Sequence, residues 1–376
     1  MSYCAEEVSQ YVSEEDVKFI RLAFCDVFGK QKNVSVMPFE LSRAFRDGVP
    51  VSGRAAGLSP AASPAWLLLR PESDTLTPLP WRPEHGRVVR MLCRLLDETG
   101  RPFPADTRAI LEETVRDAGE AGLDFSFSAR CRFYLFKRDE AGDPTGLPYD
   151  RAGYLDIAPE DKGENVRREI CLTLEQMGIR PKASYHEAGP GQNAIEMPMA
   201  DPLTAADRLS MAHTVIATVA ARNGLFADFS ACPLPDAPAN RLPVIFSAKS
   251  RQGIAVQESA AAGVCLYIKE MMPYLSPCGN SGVYLFAKNQ KEDLLFSPVS
   301  PDKTPCTGLM LPDGGANPYL AFALLLRAAV LGVQKGETEL PAPQLPATPG
   351  EGKEAAANGA LGAFLPACVK EAFGVR

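Results

Sequence analysis

The residues with the clearest chemical potential lie in one short segment, residues 185–193, with the sequence Tyr-His-Glu-Ala-Gly-Pro-Gly-Gln-Asn. His186 and Glu187 offer an imidazole and a carboxylate, which divalent cations accept as ligands. The amides of Gln192 and Asn193 could bind a ligand by hydrogen bonds. A lone carboxylate cannot assemble a site for two metal ions, so we favour the alternative that these side chains hydrogen-bond within a sheet.

A second carboxylate follows closely along the chain. Glu196 lies two residues beyond Ala194, and in a strand these two residues share a face at a separation of about 7 Å. Glu196 is therefore a weak candidate for a metal ligand beside Glu187. Because metal geometry tolerates little displacement, we expect Glu196 to be solvated or paired with a cation instead.

Two arginines precede an apolar run. Arg130 and Arg132 alternate along the chain just before Phe133–Phe136, which has the composition of a buried strand. In a cleft, two guanidinium groups would form an anion site for a carboxylate or phosphate, and thus for a small anionic metabolite. The same arginines could instead pair with Glu187, and the sequence leaves both possibilities open.

Composition excludes several classes of partner. The chain has 376 residues, 46% of them hydrophobic, and a formal net charge of −7, which argues against a nucleic acid or an anionic membrane as partner. We expect no membrane-spanning helix, because no uninterrupted apolar run approaches ~18 residues. The ten cysteines form no Cys-x-x-Cys pair and are expected to be reduced thiols in the cytoplasm.

Periodicity predicts strands that alternate with helices, which is an α+β or α/β pattern. A strand-turn-strand unit is expected over residues 17–36 and helices over 106–121, 161–177, 205–223, 258–272 and 319–333. Thr204 is predicted to cap the third helix. A Pro/Gly-rich linker starts at residue 341, and a short apolar helix is expected around 358–373.

Several motifs, in the same order along the chain, resemble those of glutamine synthetases. Besides the 185–193 segment they are Asp26-x-x-Gly29, Gly48–Ala55, Gly100–Arg108, Tyr154–Gly178, Asn280-Ser281 and Pro312–Leu320. The resemblance implies an α+β fold with an N-terminal β-grasp domain, followed by a curved antiparallel sheet, or open barrel, flanked by helices. It implies domains at 1–104 and 105–340, with the linker and the short helix in 341–376.

Glutamine synthetases activate glutamate with ATP, add ammonia, and hold Mg²⁺ or Mn²⁺ through carboxylates and an imidazole. The resemblance implies that Arg130 and Arg132 stand where the family has Glu-x-Glu. It likewise implies that Ala194 and Pro243 replace a metal-binding glutamate and histidine. Asn280 keeps one position of a substrate-binding segment, and Glu187 is a possible remnant of the metal site.

These departures predict a non-catalytic member of the family, a binding or regulatory subunit that has lost ATP and Mg²⁺ or Mn²⁺. The alternative is an active ATP-dependent carboxylate–amine ligase of the glutamate–ammonia type. Its site would be rebuilt from Glu187 and Glu196 with Asp228 or Glu258. Because family members form rings, the resemblance also implies assembly with further copies or with an active paralogue.

Overall fold

The computed structural model describes residues 4–57, 65–82, 85–278, 294–298, 303–337 and 339–375. It divides into two compact units, and each is described by itself. One unit comprises residues 1–110 with 176–178 and 366–372, and the other comprises 111–175, 179–365 and 373–376. The domain boundaries predicted from the resemblance, 1–104, 105–340 and 341–376, stay predictions.

The first unit is a mixed sheet accompanied by helices. Its strands are β1 (Val17–Cys25), β2 (Gln31–Val36), β3 (Val49–Ser52), β4 (Trp66–Pro71), β5 (Thr77–Pro78) and β6 (Arg87–Leu96). Its helices are α1 (Ala5–Glu14), α2 (Leu41–Asp47) and α3 (Gly53–Ala56), with single 3₁₀ turns at Pro38–Glu40 and Ser73–Thr75. The strand order is β2-β1-β6-β4-β3, and β1 and β6 run parallel.

The predicted strand-turn-strand unit over residues 17–36 is confirmed, since β1 and β2 pair antiparallel. Asp26 fixes the turn, because its side chain accepts hydrogen bonds from the backbone N–H groups of Phe28 at 3.0 Å and Lys30 at 2.9 Å. Gly29 takes a φ of +83°, which glycine adopts without strain.

The second unit is built on an antiparallel sheet. The strands that follow β6 are β7 (Leu123–Arg138), β8 (Pro144–Pro148), β9 (Ala183–His186), β10 (Gln192–Glu196), β11 (Leu225–Asp228), β12 (Val244–Ser250), β13 (Leu295–Phe296) and β14 (Thr307–Leu309). The order is β13-β14-β12-β7-β10-β9, and β8 and β11 also pair with β7. The 16-residue β7 therefore organises the whole sheet, although the sequence predicted only its segment 133–136.

The helices that follow α3 are α4 (Thr107–Glu120), α5 (Glu164–Gln176), α6 (Pro202–Arg222), α7 (Gln257–Leu275), α8 (Pro318–Lys335), α9 (Pro349–Asn358) and α10 (Ala367–Ala372). The α+β class and the five predicted helices are confirmed. The predicted cap of α6 was wrong: Asp201 caps this helix, and its side chain accepts from the Thr204 N–H at 3.0 Å. The C-terminal tail also differs from the prediction, because helix α9, which Thr348 caps, lies within the segment that was predicted to begin as a linker.

Two helices of the core approach each other without intervening side chains. Gly263 of α7 faces Gly332 of α8, and a Cβ atom at Gly263 would overlap the carbonyl oxygen of Ala328. By length and composition α8 could cross a membrane, but 72% of its 18 residues are buried inside the fold. This burial accounts for its apolar composition without a membrane.

Candidate functional site

The register of β7 and β10 places the candidate residues on two opposite faces of the sheet. Arg130 pairs with Glu196, Arg132 with Ala194, and Tyr134 with Gln192. Because side chains alternate along strands, these six residues share one face, which we call the site face. His186 and Asn193 pair with each other across β9 and β10 and lie on the opposite face.

Arg132 and Glu187 form an ion pair on the site face. Arg132 Nε lies 2.8 Å from Glu187 Oε1, and their side chains are only 13% and 8% exposed. The Glu187 backbone N–H donates to the Gln192 carbonyl at 2.8 Å, which extends the β9–β10 pairing by one residue. Arg132 therefore pairs with Glu187, which is the second of the two alternatives that the sequence left open for the arginines.

Arg130 and Glu196 form a second, more exposed pair. Arg130 Nη2 lies 2.9 Å from Glu196 Oε1, and Arg130 Nε donates to the same oxygen at 3.0 Å. The Tyr185 hydroxyl also donates to that oxygen at 3.0 Å, and the Arg130 guanidinium lies 5.8 Å from the Tyr185 ring centroid. Glu196 is thus paired with a cation, as the sequence led us to expect.

Tyr134 and Gln192 hold the segment that precedes β12 against the site face. The Tyr134 hydroxyl donates to the Pro238 carbonyl at 2.6 Å, and Gln192 Nε2 donates to the Ala239 carbonyl at 3.5 Å. Gln192 Oε1 accepts from the Gly189 N–H at 3.1 Å, so both ends of this amide are used within the protein. A Cβ atom at Gly189 would overlap the Tyr134 hydroxyl.

The carboxylates of the site face do not converge. Asp228 lies opposite Tyr134 in β11 and so points to this face, where its side chain accepts from the Ser230 N–H at 2.7 Å. Glu258 is exposed in the first turn of α7. Within the described residues, neither of them joins Glu187 or Glu196 in a group of three ligand atoms within 4.8 Å of one another.

The opposite face carries a buried polar network. Arg167 of α5 forms an ion pair with Asp161, and both side chains are almost completely buried. Its Nη1 also donates to Asn193 Oδ1 at 2.6 Å, while Asn193 Nδ2 donates to the Gly191 carbonyl at 2.9 Å. Asn193 is fully buried, so the network leaves this predicted ligand-binding residue no contact with solvent.

His186 is likewise fully buried and belongs to the same network. Its Nε2 lies 2.8 Å from Asp150 Oδ1, and its Nδ1 lies 2.7 Å from the Glu187 carbonyl oxygen. Both partners are acceptors, so both ring nitrogens must donate and the ring is an imidazolium. Burial is the largest single effect and lowers the pKa of His186, but the hydrogen bonds to Asp150 and to the Glu187 carbonyl, together with the charges of Asp150 and Asp161, outweigh it, and the net shift is upward.

One group on this face has ligand atoms close enough for a metal ion: Asp150, Asp161 and His186 lie within 4.8 Å of one another. An imidazolium has no lone pair to give a metal, and the guanidinium of Arg167 already holds Asp161. The negative charges of Asp150 and Asp161 balance the positive charges of His186 and Arg167, so these four side chains together are neutral. The donor set therefore fits a structural charge network better than a metal ion.

Sequence reasoning missed Asp150, Asp161 and Arg167 as members of this network. Arg167 and Asn193 are 26 residues apart, and His186 and Asp150 are 36 apart. No local spacing signals such contacts, which depend on how α5 lies on the sheet. The predicted ligand residue Asn280 lies outside the described residues.

A third histidine makes a testable contribution to pH stability. The His213 ring lies 4.4 Å from the Phe229 ring, and its Nε2 is buried with no hydrogen-bond partner among the described residues. Burial lowers the pKa of His213 to about 4. The unfolded chain, with a His pKa of about 6.5, binds this proton first, so stability is lost as the pH falls from about 6.5 towards 4.

We expect wild-type protein to lose about 2 kcal/mol more stability than His213→Gln between pH 7 and pH 4.5, after allowance for partial solvent exposure of the ring. Urea unfolding of both proteins at the two pH values measures the difference. Equal losses in the two proteins would show that His213 does not stay neutral in the folded state.

Comparison with known proteins identifies both parts of the chain. The profile of the glutamine synthetase β-grasp domain matches residues 16–98, and that of the glutamine synthetase catalytic domain matches residues 104–281. The glutamine synthetase of Clostridium saccharobutylicum is 33% identical over 355 residues, covering 88% of this chain and 80% of the relative. That of Staphylococcus epidermidis is 30% identical over 366 residues, covering 91% and 82%.

Solved structures agree. Apo GmaS without ligand superposes with a TM-score of 0.82 at 25% identity, covering 97% of this chain and 93% of that chain. Plasmodium falciparum glutamine synthetase, solved by cryoEM, gives 0.86 at 15% identity, covers 99% and 95%, and shows the fold alone. The β-grasp domain and the helix-flanked antiparallel sheet expected from the motifs are confirmed, and the chain belongs to the glutamine synthetase family.

Proposed function

We propose that this protein is a non-catalytic member of the glutamine synthetase family that acts as a binding or regulatory subunit. The observation that carries the proposal is the Arg132–Glu187 ion pair, with both side chains nearly buried. A guanidinium beside a carboxylate supplies the positive charge that a divalent cation would otherwise supply. The Arg130 guanidinium of β7 likewise supplies positive charge beside the Glu196 carboxylate of β10.

The residues of the site face do not fit Mg²⁺ or Mn²⁺. These hard cations require several oxygen ligands in one place, whereas Glu187 and Glu196 each meet a cationic side chain and Asp228 accepts from a backbone N–H. A metal ion at Glu187 would lie beside the Arg132 guanidinium, and the two like charges would repel each other. We infer that the ATP and metal chemistry of the family is lost in this chain.

The second candidate ligand of this face is a small anionic metabolite bound by the two arginines. It would have to compete with Glu187 and Glu196, because both guanidinium groups already have a carboxylate partner. We assign His186, Gln192 and Asn193 to structural roles, since their polar groups are engaged within the sheet or its loops.

The first test is glutamine formation by the purified protein with ATP, glutamate, ammonia and Mg²⁺ or Mn²⁺. We expect no product above the level of a Glu187→Ala variant prepared in the same way, because contaminating enzyme would be equal in both samples. Glutamine that forms with the wild type and disappears in Glu187→Ala would overturn the proposal.

The alternative is an active glutamate–ammonia type ligase with a rebuilt site. It is favoured by the 33% identity to the Clostridium saccharobutylicum enzyme and by the position of Asp228 on the same face as Glu187. Calorimetry with ADP separates the two functions. Binding that requires Mg²⁺ and is lost in Glu187→Ala would support the ligase, and absence of such binding would support the non-catalytic subunit.

We propose further that the protein acts in the cytoplasm, as a homo-oligomer or beside an active paralogue. All ten cysteines are free thiols, which suits a reducing compartment. Retention of both family domains supports assembly, because a fold can be kept for its surfaces after its chemistry is lost.

A further inference from the structure

The first unit contains a cleft between helix α1 and the residues that lead into α2. Its volume is about 430 Å³, which lies within the range of about 300–1,000 Å³ that is usual for ligand pockets. Val12, Val17 and Leu41 line the cleft, and each is at most 5% exposed. The cleft therefore has an apolar floor onto which apolar side chains of a partner can pack.

The same cleft carries an aromatic side chain that the fold leaves in water. Phe39 lines the cleft and is 79% exposed, the highest exposed fraction among the large hydrophobic residues that the structure describes. A small molecule inside the cleft would leave most of this ring in solvent. Only a partner that extends beyond the cleft can bury Phe39, and buried aromatic residues are the usual anchors of protein–protein contacts.

The helix on the other side of the cleft is acidic. The first five charged side chains of the sequence are all carboxylates: Glu6, Glu7, Glu14, Glu15 and Asp16. Glu15 forms an ion pair with Arg87, and Asp16 forms one with Lys18. Glu6, Glu7 and Glu14 are exposed, and in the part of the chain that the structure describes they have no cationic side chain within 4 Å.

The position of Glu6 connects this charge to the cleft. Ser9 and Ser13 line the cleft, and Glu6 precedes Ser9 by three residues. Side chains three or four residues apart share a face of a helix, so Glu6 continues the row that borders the cleft. Because α1 has 10 residues and is therefore about 15 Å long, the acidic side is an extended wall and not a single point charge.

We infer that this cleft docks a basic, amphipathic segment of a partner protein. The apolar side chains of the segment fill the cleft and cover Phe39, and its Lys or Arg side chains face the carboxylates of α1. A second copy of this chain is a poor electrostatic match, because its net charge is −7. The inference concerns residues of the first unit alone and does not depend on whether the protein is catalytic.

The test is fluorescence anisotropy of the full chain with two labelled helical peptides. One peptide has leucines on one face and lysines on the other, and its counterpart has glutamate in place of every lysine. We expect wild type to bind the lysine peptide at 0.1 M NaCl, with an affinity that falls as salt is added, and not to bind the glutamate peptide.

The apolar anchor is tested with one aromatic variant and its control. Phe39→Ser should weaken binding of the lysine peptide by at least about tenfold. Phe28→Ser is the matched control, because Phe28 is 43% exposed in the turn between β1 and β2 and does not line the cleft. It should bind like wild type.

The acidic wall is tested in the same way. Glu6→Gln/Glu14→Gln should weaken binding of the lysine peptide and reduce its dependence on salt. Glu113→Gln/Glu140→Gln removes the same charge from exposed positions outside the first unit and should bind like wild type.

The inference is overturned if Phe39→Ser binds the lysine peptide as tightly as Phe28→Ser, with circular dichroism unchanged in both. It is also overturned if the two double charge variants bind this peptide equally well. Self-association of wild type that Phe39→Ser abolishes would assign the cleft to a second copy and overturn it as well. The proposed function is tested separately by glutamine formation, which none of these experiments measures.

Discussion

Arg132→Met is expected to lower the free energy of unfolding by about 3–5 kcal/mol, because it leaves the Glu187 carboxylate buried without its cation. Methionine keeps most of the apolar volume of the arginine stem, so the loss reports on the charge and not on a cavity. Urea unfolding followed by circular dichroism at pH 7 measures it.

Two further variants make the result specific. Arg132→Met/Glu187→Leu removes both charges and should recover most of the loss, since apolar replacements of a buried ion pair are often neutral. Arg130→Met breaks the more exposed pair with Glu196 and should cost only about 1 kcal/mol or less. Equal losses of unfolding free energy in Arg130→Met and Arg132→Met would contradict the conclusion that the Arg132–Glu187 pair is more buried than the Arg130–Glu196 pair.

Arg167→Met should destabilise the protein by a similar amount, about 3–5 kcal/mol, for two reasons. Asp161, whose side chain is 1% exposed, would lose its counter-charge, and Asn193 would lose the donor at 2.6 Å. The polar network behind the sheet would then hold one unpaired carboxylate. The free energy of unfolding in urea again gives the magnitude.

Arg168→Met is the matched control, because Arg168 is the next residue of the same helix and is exposed. We expect it to change stability by less than about 0.5 kcal/mol. Asp161→Asn combined with Arg167→Met should be less destabilising than Arg167→Met alone. If the double variant is no better, the network does not act through the charge of Asp161.

Much of the fold could be predicted from local patterns. The β1–β2 hairpin follows from alternation around the Asp26 turn, and the long helices follow from apolar periodicity between polar and glycine boundaries. The first half of β7 escaped prediction. There the polar residues Asp124, Ser126, Ser128 and Arg130 alternate with buried apolar residues, which breaks the apolar run that marked the second half.

The site was less predictable, since its contacts join distant parts of the chain. Alternation along β10 correctly related Ala194 to Glu196, but the choice between anion binding and ion pairing for Arg132 depended on the position of Glu187. The burial of His186 and Asn193 depended on α5, whose Arg167 reaches the back of the sheet. Such contacts arise from tertiary packing, and no spacing in the sequence encodes them.

The backbone contact between Gly263 and Gly332 limits how this sequence can vary. Where two helices touch through side chains, a smaller residue on one can compensate for a larger residue on the other. At this crossing there is nothing left to shrink, because both positions already lack a side chain. Any substitution at either glycine must push one helix away from its neighbour. The two glycines must therefore be kept together to preserve the distance between the helices, whatever substitutions occur on the face of the sheet.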